Sequence, residues 1–139
     1  MPAIRVPIQL RWSDLDAYGH VNNVAIVGLL EQARVLAFWS DADPILPPLT
    51  AEADTWVLVA SIDVSYKKVI DHRTEPIVAE VSVSKCAGAS FVVGYRLIVD
   101  GDVCVTATTT MALVDPTTSA PMRIDAELRH RLLEFSVAD

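Results

Sequence analysis

The sequence predicts an α+β domain with an antiparallel sheet of about five strands, one long helix buried in the middle of the domain, and a second helix at the C-terminal end. Three observations lead there. Apolar and polar residues alternate in an opening segment and in the segments after residue 56, the period of a strand with one buried face. Between them, residues 24–39 are interrupted only by Glu31, Gln32 and Arg34, and the run exceeds the length of an ordinary strand. Tight-turn signals, Ala87-Gly88-Ala89 and Asp100-Gly101-Asp102, join neighbouring alternating segments, so those strands should run antiparallel.

Residues 4–12 place Ile4, Val6, Ile8, Leu10 and Trp12 on one face against Arg5, Pro7, Gln9 and Arg11. Pro7 lacks an N–H, which assigns this strand to a sheet edge or a bulge. Residues 13–23 are polar, and the long helix follows, capped by Asn22 or Asn23 through a side-chain oxygen. The helix is apolar on nearly every face, which predicts burial in the middle of the domain. Pro44, Pro47 and Pro48 make residues 41–54 a loop, with room for one helical turn near residues 49–52. Strands are expected over residues 56–69, 75–86, 90–100 and 102–114, the last three as a meander. Residues 56–60 are apolar on both faces and need cover, for which a partner subunit is the economical source. Pro116 and Pro121 frame an exit loop, and residues 124–137 form an amphipathic helix with Leu128, Leu132 and Phe135 on one stripe. Trp12, Trp39 and Trp56 read as core or interface residues.

A chain of 139 residues fits a single domain spanning 1–139. Its hydrophobic fraction of 52% excludes intrinsic disorder. Eleven Lys and Arg against 18 Asp and Glu give a net charge of −7, the wrong sign for a general nucleic-acid binder. No apolar run has the length of a membrane span, and no signal-peptide pattern opens the chain, so a cytoplasmic protein that does not engage membranes is expected. Cys86 and Cys104 cannot make a disulfide framework and are expected as reduced, buried thiols. His20, His72 and His130 are too scattered to suggest zinc, and no glycine-rich phosphate loop is present, so neither a metal nor a resident cofactor is expected.

Residues 13–34, SDLDAYGHVNNVAIVGLLEQAR, carry the chemistry. Asp14 and Asp16 are two residues apart and share one side of an extended stretch. Gly19 permits a backbone turn closed to other residues, and a helix then begins with unpaired N–H donors and a positive dipole end. A carboxylate facing such donors suits acyl transfer, because the donors hold a carbonyl oxygen as it gains charge. Within this segment Asp14 reads as a capping or hydrogen-bonding residue and Asp16 as the functional one. His20 reads either as a packing residue or as a catalyst, and Glu31 either as an ion-pair partner of Arg34 or as a second catalytic carboxylate. Lys67, Lys68 and Arg73 form a basic cluster that could meet a polyphosphate.

Asp14-Leu15-Asp16, Gly19-His20-Val21-Asn22-Asn23 and Glu31-x-Ala33-Arg34 resemble the hotdog-fold acyl-CoA thioesterases related to 4-hydroxybenzoyl-CoA thioesterase, and are similar to the matching segment of plant acyl-ACP thioesterases. The resemblance implies a hotdog fold, an antiparallel sheet of about five strands wrapped around the long central helix, assembled as a homodimer or a homotetramer (a dimer of dimers) with the active site at the subunit interface. It implies hydrolysis of a small-molecule acyl-CoA, with CoA present only as part of the substrate and its phosphates near Lys67, Lys68 and Arg73. Asp16 matches the catalytic Asp, acting as nucleophile or as base on water. Gly19, His20 and Val21 match the turn whose backbone N–H groups polarise the thioester carbonyl, and some members use a residue at the His20 position in catalysis. Asn23 matches a residue that positions the helix, and Glu31 also matches. Ile26 stands where an aromatic residue is common, which implies a more aliphatic acyl pocket, and Tyr18 replaces an Asn of the plant enzymes at the substrate-binding turn. The rival readings are an acyl-ACP thioesterase, a hotdog enoyl-CoA hydratase pairing a carboxylate with a His, and a hotdog module that binds acyl-CoA without cleaving it.

Overall fold

In the computed structural model, which describes residues 3–40 and 43–136, the chain runs β1 (Ile4–Ile8), a short 3-10 turn (Trp12–Asp14), α1 (Asn23–Trp39), β2 (Trp56–Tyr66), β3 (Ile77–Cys86), β4 (Ser90–Val99), β5 (Asp102–Val114) and α2 (Ala126–Leu133). The strands form one antiparallel sheet in the order β1-β3-β4-β5-β2. The β4–β5 hairpin closes through Asp100 and Gly101, both with positive φ (50° and 84°), the two-residue turn that matches the twist of paired strands. The chain crosses from β1 to β2, at opposite sheet edges, by way of α1 and the proline-rich loop.

Alternation along β3, β4 and β5 buries Ala79, Val81, Val83, Val93, Tyr95, Leu97, Val105, Met111 and Leu113 on one face of the sheet. α1 lies on that face, its closest element contacts being with β1 and β3, and buries Ile26, Leu29, Leu30, Ala33, Ala37 and Phe38. α2 starts at Asp125, whose side chain accepts the Leu128 N–H at 2.8 Å, and buries Leu132 beside β3. Phe135 then extends the contact, its carbonyl accepting the Val83 N–H at 3.0 Å.

Several details depart from the sequence reading. β1 ends at Ile8, and residues 12–14 coil into the 3-10 turn because Asp14 draws the Arg11 backbone and side chain to itself. Trp12 is left 78% exposed. The stretch 49–52 holds only bends and turns, and residues 41 and 42 of that loop lie outside the described residues. β2 stops at Tyr66, where the Lys67 and Lys68 N–H groups both turn to the Cys104 carbonyl. α2 is shorter than the stretch 124–137, of which residue 137 is outside the described residues. The largest departure is α1. Its apolar residues are buried only where they meet the sheet, and Val24, Val27, Gly28 and Glu31 are exposed. No helix among the described residues is long and apolar enough to cross a membrane. Cys86 is half-buried, Cys104 is buried, and both are free thiols.

Candidate active site

The loop between β1 and α1 is built around two aspartates with different partners. Asp14 is buried, and its carboxylate accepts from the Arg11 backbone N–H at 2.8 Å, from Nη2 at 2.8 Å and from Nε at 3.2 Å. Its carbonyl accepts the Asn22 N–H at 2.7 Å, so one residue pins both ends of the loop. Burial pushes the Asp14 carboxyl up, and the Arg11 hydrogen bonds and charge outweigh it, holding the group below its ordinary value.

Asp16, half-buried, organises the tip. Its N–H donates to the His20 carbonyl at 2.8 Å, and its own carbonyl accepts the Gly19 N–H at 3.1 Å. Gly19 turns this corner at φ 77°, in the left-handed region where a side chain would be strained. The Asp16 Oδ1 atom accepts from the Tyr18 N–H at 2.9 Å and the His20 N–H at 3.3 Å. Oδ2 has no partner among the described residues. One oxygen is therefore fixed by backbone donors and the other is left without a partner among the described residues.

The loop leads straight into α1. Asn22 is the cap, its side chain accepting the Val24 N–H at 2.7 Å, and its carbonyl takes the Ile26 N–H. The N–H groups of Asn23 and Ala25 have no acceptor among the described residues, as the first turn of a helix dictates. Tyr66, at the end of β2, donates its hydroxyl to the Asn23 carbonyl at 3.3 Å and ties the helix start to the sheet.

Residues 10–132 match the thioesterase-like superfamily. The chain belongs to that superfamily. This thioesterase-family chain is thereby an enzyme of the thioester hydrolase class. Its fold is the hotdog arrangement, shared with a thioesterase from Thermus thermophilus solved with coenzyme A and Zn (23% identity, TM-score 0.77, covering 92% of this chain and 90% of that one). A DHNA-CoA thioesterase from Staphylococcus aureus is similar at 21% identity and a TM-score of 0.78, over 90% of this chain and 83% of that one. A Pseudomonas aeruginosa protein is similar at 23% identity and a TM-score of 0.79, over 97% and 92%. No curated protein matches the chain.

The other residues singled out in the sequence of this thioesterase-family chain divide clearly. The amides of Gly19, His20 and Val21 are all engaged within the fold, the last donating to the Ile70 carbonyl at 2.8 Å. The first amides of α1 without an acceptor among the described residues are those of Asn23 and Ala25. The His20 ring faces Asp71, with Nε2 at 3.5 Å from Oδ1, rather than Asp16. Tyr18 offers its backbone to Asp16 while its ring is 84% exposed. Ile26 is buried in the core of the protomer, on the helix turn that follows the open amides.

Glu31 is not brought to Asp16 within one protomer. It stands about 12 Å along the helix axis from Asn23, with its side chain 70% exposed and 3.6 Å from Arg34 Nη2. Arg34 itself is buried, with Nη1 donating to the Tyr95 hydroxyl at 3.1 Å, and that hydroxyl is 2.7 Å from Thr109 Oγ1.

The basic cluster is largely neutralised. Lys68 Nζ is 2.7 Å from Asp102 and Arg73 Nη1 is 2.8 Å from Asp100. The Asp102 hydrogen bond raises the Lys68 value, and the Asp100 hydrogen bond raises that of Arg73. The groove they line also carries Asp71 and Glu75, so its carboxylates outnumber its cations and it does not suit a polyphosphate. Lys67 alone of the three has no acidic partner among the described residues. Those residues also contain no group of His, Cys, Asp and Glu that could hold a metal.

One feature escaped the sequence reading. Tyr66 lies more than forty residues from the helix start that it anchors, and no local pattern marks such a pair. The unpaired N–H donors expected at the helix start are those of Asn23 and Ala25.

Proposed function

We propose that this chain hydrolyses acyl-CoA thioesters to the free acid and CoA, with Asp16 as the reactive carboxylate and the Asn23 and Ala25 amides as the oxyanion donors. The observation that carries the reading is the division within Asp16: Oδ1 held by two backbone N–H groups, Oδ2 unpartnered, at the open end of α1. As a base, Oδ2 takes a proton from water while the oxygen of that water adds to the thioester carbon. The negative charge gathering on the carbonyl oxygen is met by the helix-start amides and the positive end of the helix dipole. Collapse breaks the C–S bond, and the departing CoA sulfur receives the proton. As a nucleophile, the same oxygen would instead add to the thioester carbon and expel the CoA thiolate, leaving a mixed anhydride that water opens to the free acid and the restored Asp16 carboxylate, the proton of that water going to the thiolate.

The acyl-CoA substrate class draws support from the relatives solved with coenzyme A and as a DHNA-CoA thioesterase. A hydratase reading loses support, because His20 faces Asp71 and is not paired with Asp16. An acyl carrier protein is a poor partner for a surface of net charge −7. A panel of acyl-CoAs with a thiol-reactive dye is the test. Thiol release from at least one substrate is expected, and tight binding of acyl-CoA without release would select the binding-module reading instead.

The assembly proposed is a homodimer formed through β2. The two sheet edges differ: β1 has five residues and carries Pro7, which blunts an edge, whereas β2 has eleven residues, no proline and one charge, Asp63. Leu58, Val59, Ile62 and Tyr66 of β2 are all exposed in the protomer. A second copy pairing there covers them and places a neighbouring surface beside the helix start that Tyr66 touches.

A further inference from the structure

A glycine inside a strand has no side chain to pack and weakens the strand, and it often marks the close approach of a ligand or another backbone. Gly94 holds such a place in the middle of β4. It stands in regular register between Ser82 of β3 and Thr108 of β5, with no bulge at that point. Its backbone is not in the left-handed region. A Cβ built there meets only Ser82 Oγ within 4 Å, at 3.1 Å, and that hydroxyl can turn aside. What the missing side chain leaves is a hollow of about 490 Å³ on the face of the sheet that turns away from α1, a volume in the range of small-molecule sites.

The rim of the hollow is charged. Register sets Arg5 of β1 and Arg96 of β4 on either side of Glu80 of β3, and all three line the hollow. Arg96 Nη1 donates to Glu80 Oε1 at 3.0 Å, and Arg5 Nη1 is 3.5 Å from Oε2. Two guanidinium groups thus share one carboxylate, a surplus of one positive charge on a chain of net charge −7. The Arg5 guanidinium makes no hydrogen bond among the described residues, and Arg96 Nε and Nη2 have no acceptor there. Asp63, on the same face of the sheet, stands two strands from Gly94, about 10 Å away. Ala3, Gly94 and Ala107 give the rest of the lining a carbon surface.

Open guanidinium donors suit a carboxylate, whose two oxygens match the planar fork. A single surplus charge matches a monocarboxylate better than a phosphate ester, which carries about −1.5 to −2. The volume is larger than a bare inorganic ion needs. We propose that this hollow is a second ligand site, for a compact organic monocarboxylate held by Arg5 and Arg96 over Gly94. It is separate from the loop–helix junction, since α1 packs on the other face, where Tyr95 turns its hydroxyl to Arg34. The assignment stands apart from the thioesterase reading; under that reading, the free acid that the chain releases belongs to the same class.

The test is a nuclear magnetic resonance titration of the isotope-labelled full chain with benzoate, with benzamide as neutral isostere and acetate as the bare charged group. Benzoate should shift the backbone amides of Ser82, Gly94 and Arg96 saturably. It should bind at least about tenfold more tightly than benzamide, which lacks the charge, and than acetate, which lacks the ring. Arg96→Gln should weaken benzoate by about tenfold. Gly94→Val fills the hollow with a better strand former and should abolish the shifts in a folded chain. Neither residue belongs to the Asp16 loop, so thiol release should be unchanged in both variants. Shifts confined to residues 16–25, equal binding of benzamide, or unaltered binding in Arg96→Gln overturn the proposal. So does a changed oligomeric state in Gly94→Val, which would make the hollow a contact between copies. If Gly94→Val does not fold, Arg96→Gln decides alone.

Discussion

Asp14 and Asp16 are chemically identical, two positions apart, and set to different tasks by their donors. Asp14 is surrounded by one arginine and closes the loop, whereas Asp16 takes two amides on one oxygen and keeps the other open. The depressed value of Asp14 fixes the sign of its pH dependence. The unfolded chain binds that proton more readily, so the carboxylate adds stability above the ordinary Asp value of about 3.9, and the gain is lost as pH falls through the lower folded value. Asp14→Asn should melt below the parent chain at neutral pH, and the gap should close in acid; a gap independent of pH would contradict the account. Lys68 gives a second prediction at this scale. Because Asp102 already neutralises it, Lys68→Ala should leave KM for an acyl-CoA within about twofold, whereas a direct phosphate contact would raise KM with kcat unchanged.

Much of this loop could be read from residue types: the glycine turn, the Asn22 cap and the two carboxylates are local patterns, each with a local cause. Of the turn amides, those of Gly19 and His20 close onto Asp16 inside the loop itself. Val21 gives its amide to Ile70, and Lys68 and Arg73 meet Asp102 and Asp100 around the β4–β5 turn, all partners from much later in the chain. Spacing along one segment carries no trace of such contacts.

The two elements that decide the architecture are α1 and β2, and each shows how far periodicity reaches. Alternation located every strand, and Pro7 pointed to an edge or a bulge for β1, which lies at the sheet edge. The apolar run of α1 announced a buried helix, yet one face of it is open, because a single protomer offers only one sheet surface to pack against. Apolar residues intended for a partner or a ligand look the same in sequence as those intended for the core. β2 presents the same ambiguity, with exposed apolar residues at the sheet edge. Val59→Lys places like charges near each other across a β2–β2 contact, and the expected result is a folded monomer by light scattering with a native circular dichroism spectrum. A dimer that persists unchanged in this variant would move the interface elsewhere.

At the scale of the whole molecule, the sheet and the helix bring two ends of the chain's chemistry together. β1 delivers the Asp16 loop, α1 begins where that loop ends, and β2 returns from the opposite edge to fasten the helix start through Tyr66. The protomer thus carries its carboxylate and its amide donors on one loop–helix junction, with apolar surface left open on β2 and on α1 to either side. Superfamily membership fixes the class of reaction, and the junction supplies a physical means for it.

The most direct measurement is the steady-state kinetics of Asp16→Asn against the parent chain on an acyl-CoA that the parent cleaves. The substituted amide keeps an oxygen to accept the Tyr18 and His20 N–H groups, so fold and assembly should be preserved. Loss of the reactive oxygen should lower kcat by about a hundred- to ten-thousandfold, with melting temperature and oligomeric state unchanged. Turnover equal to that of the parent in a correctly folded variant would contradict the account.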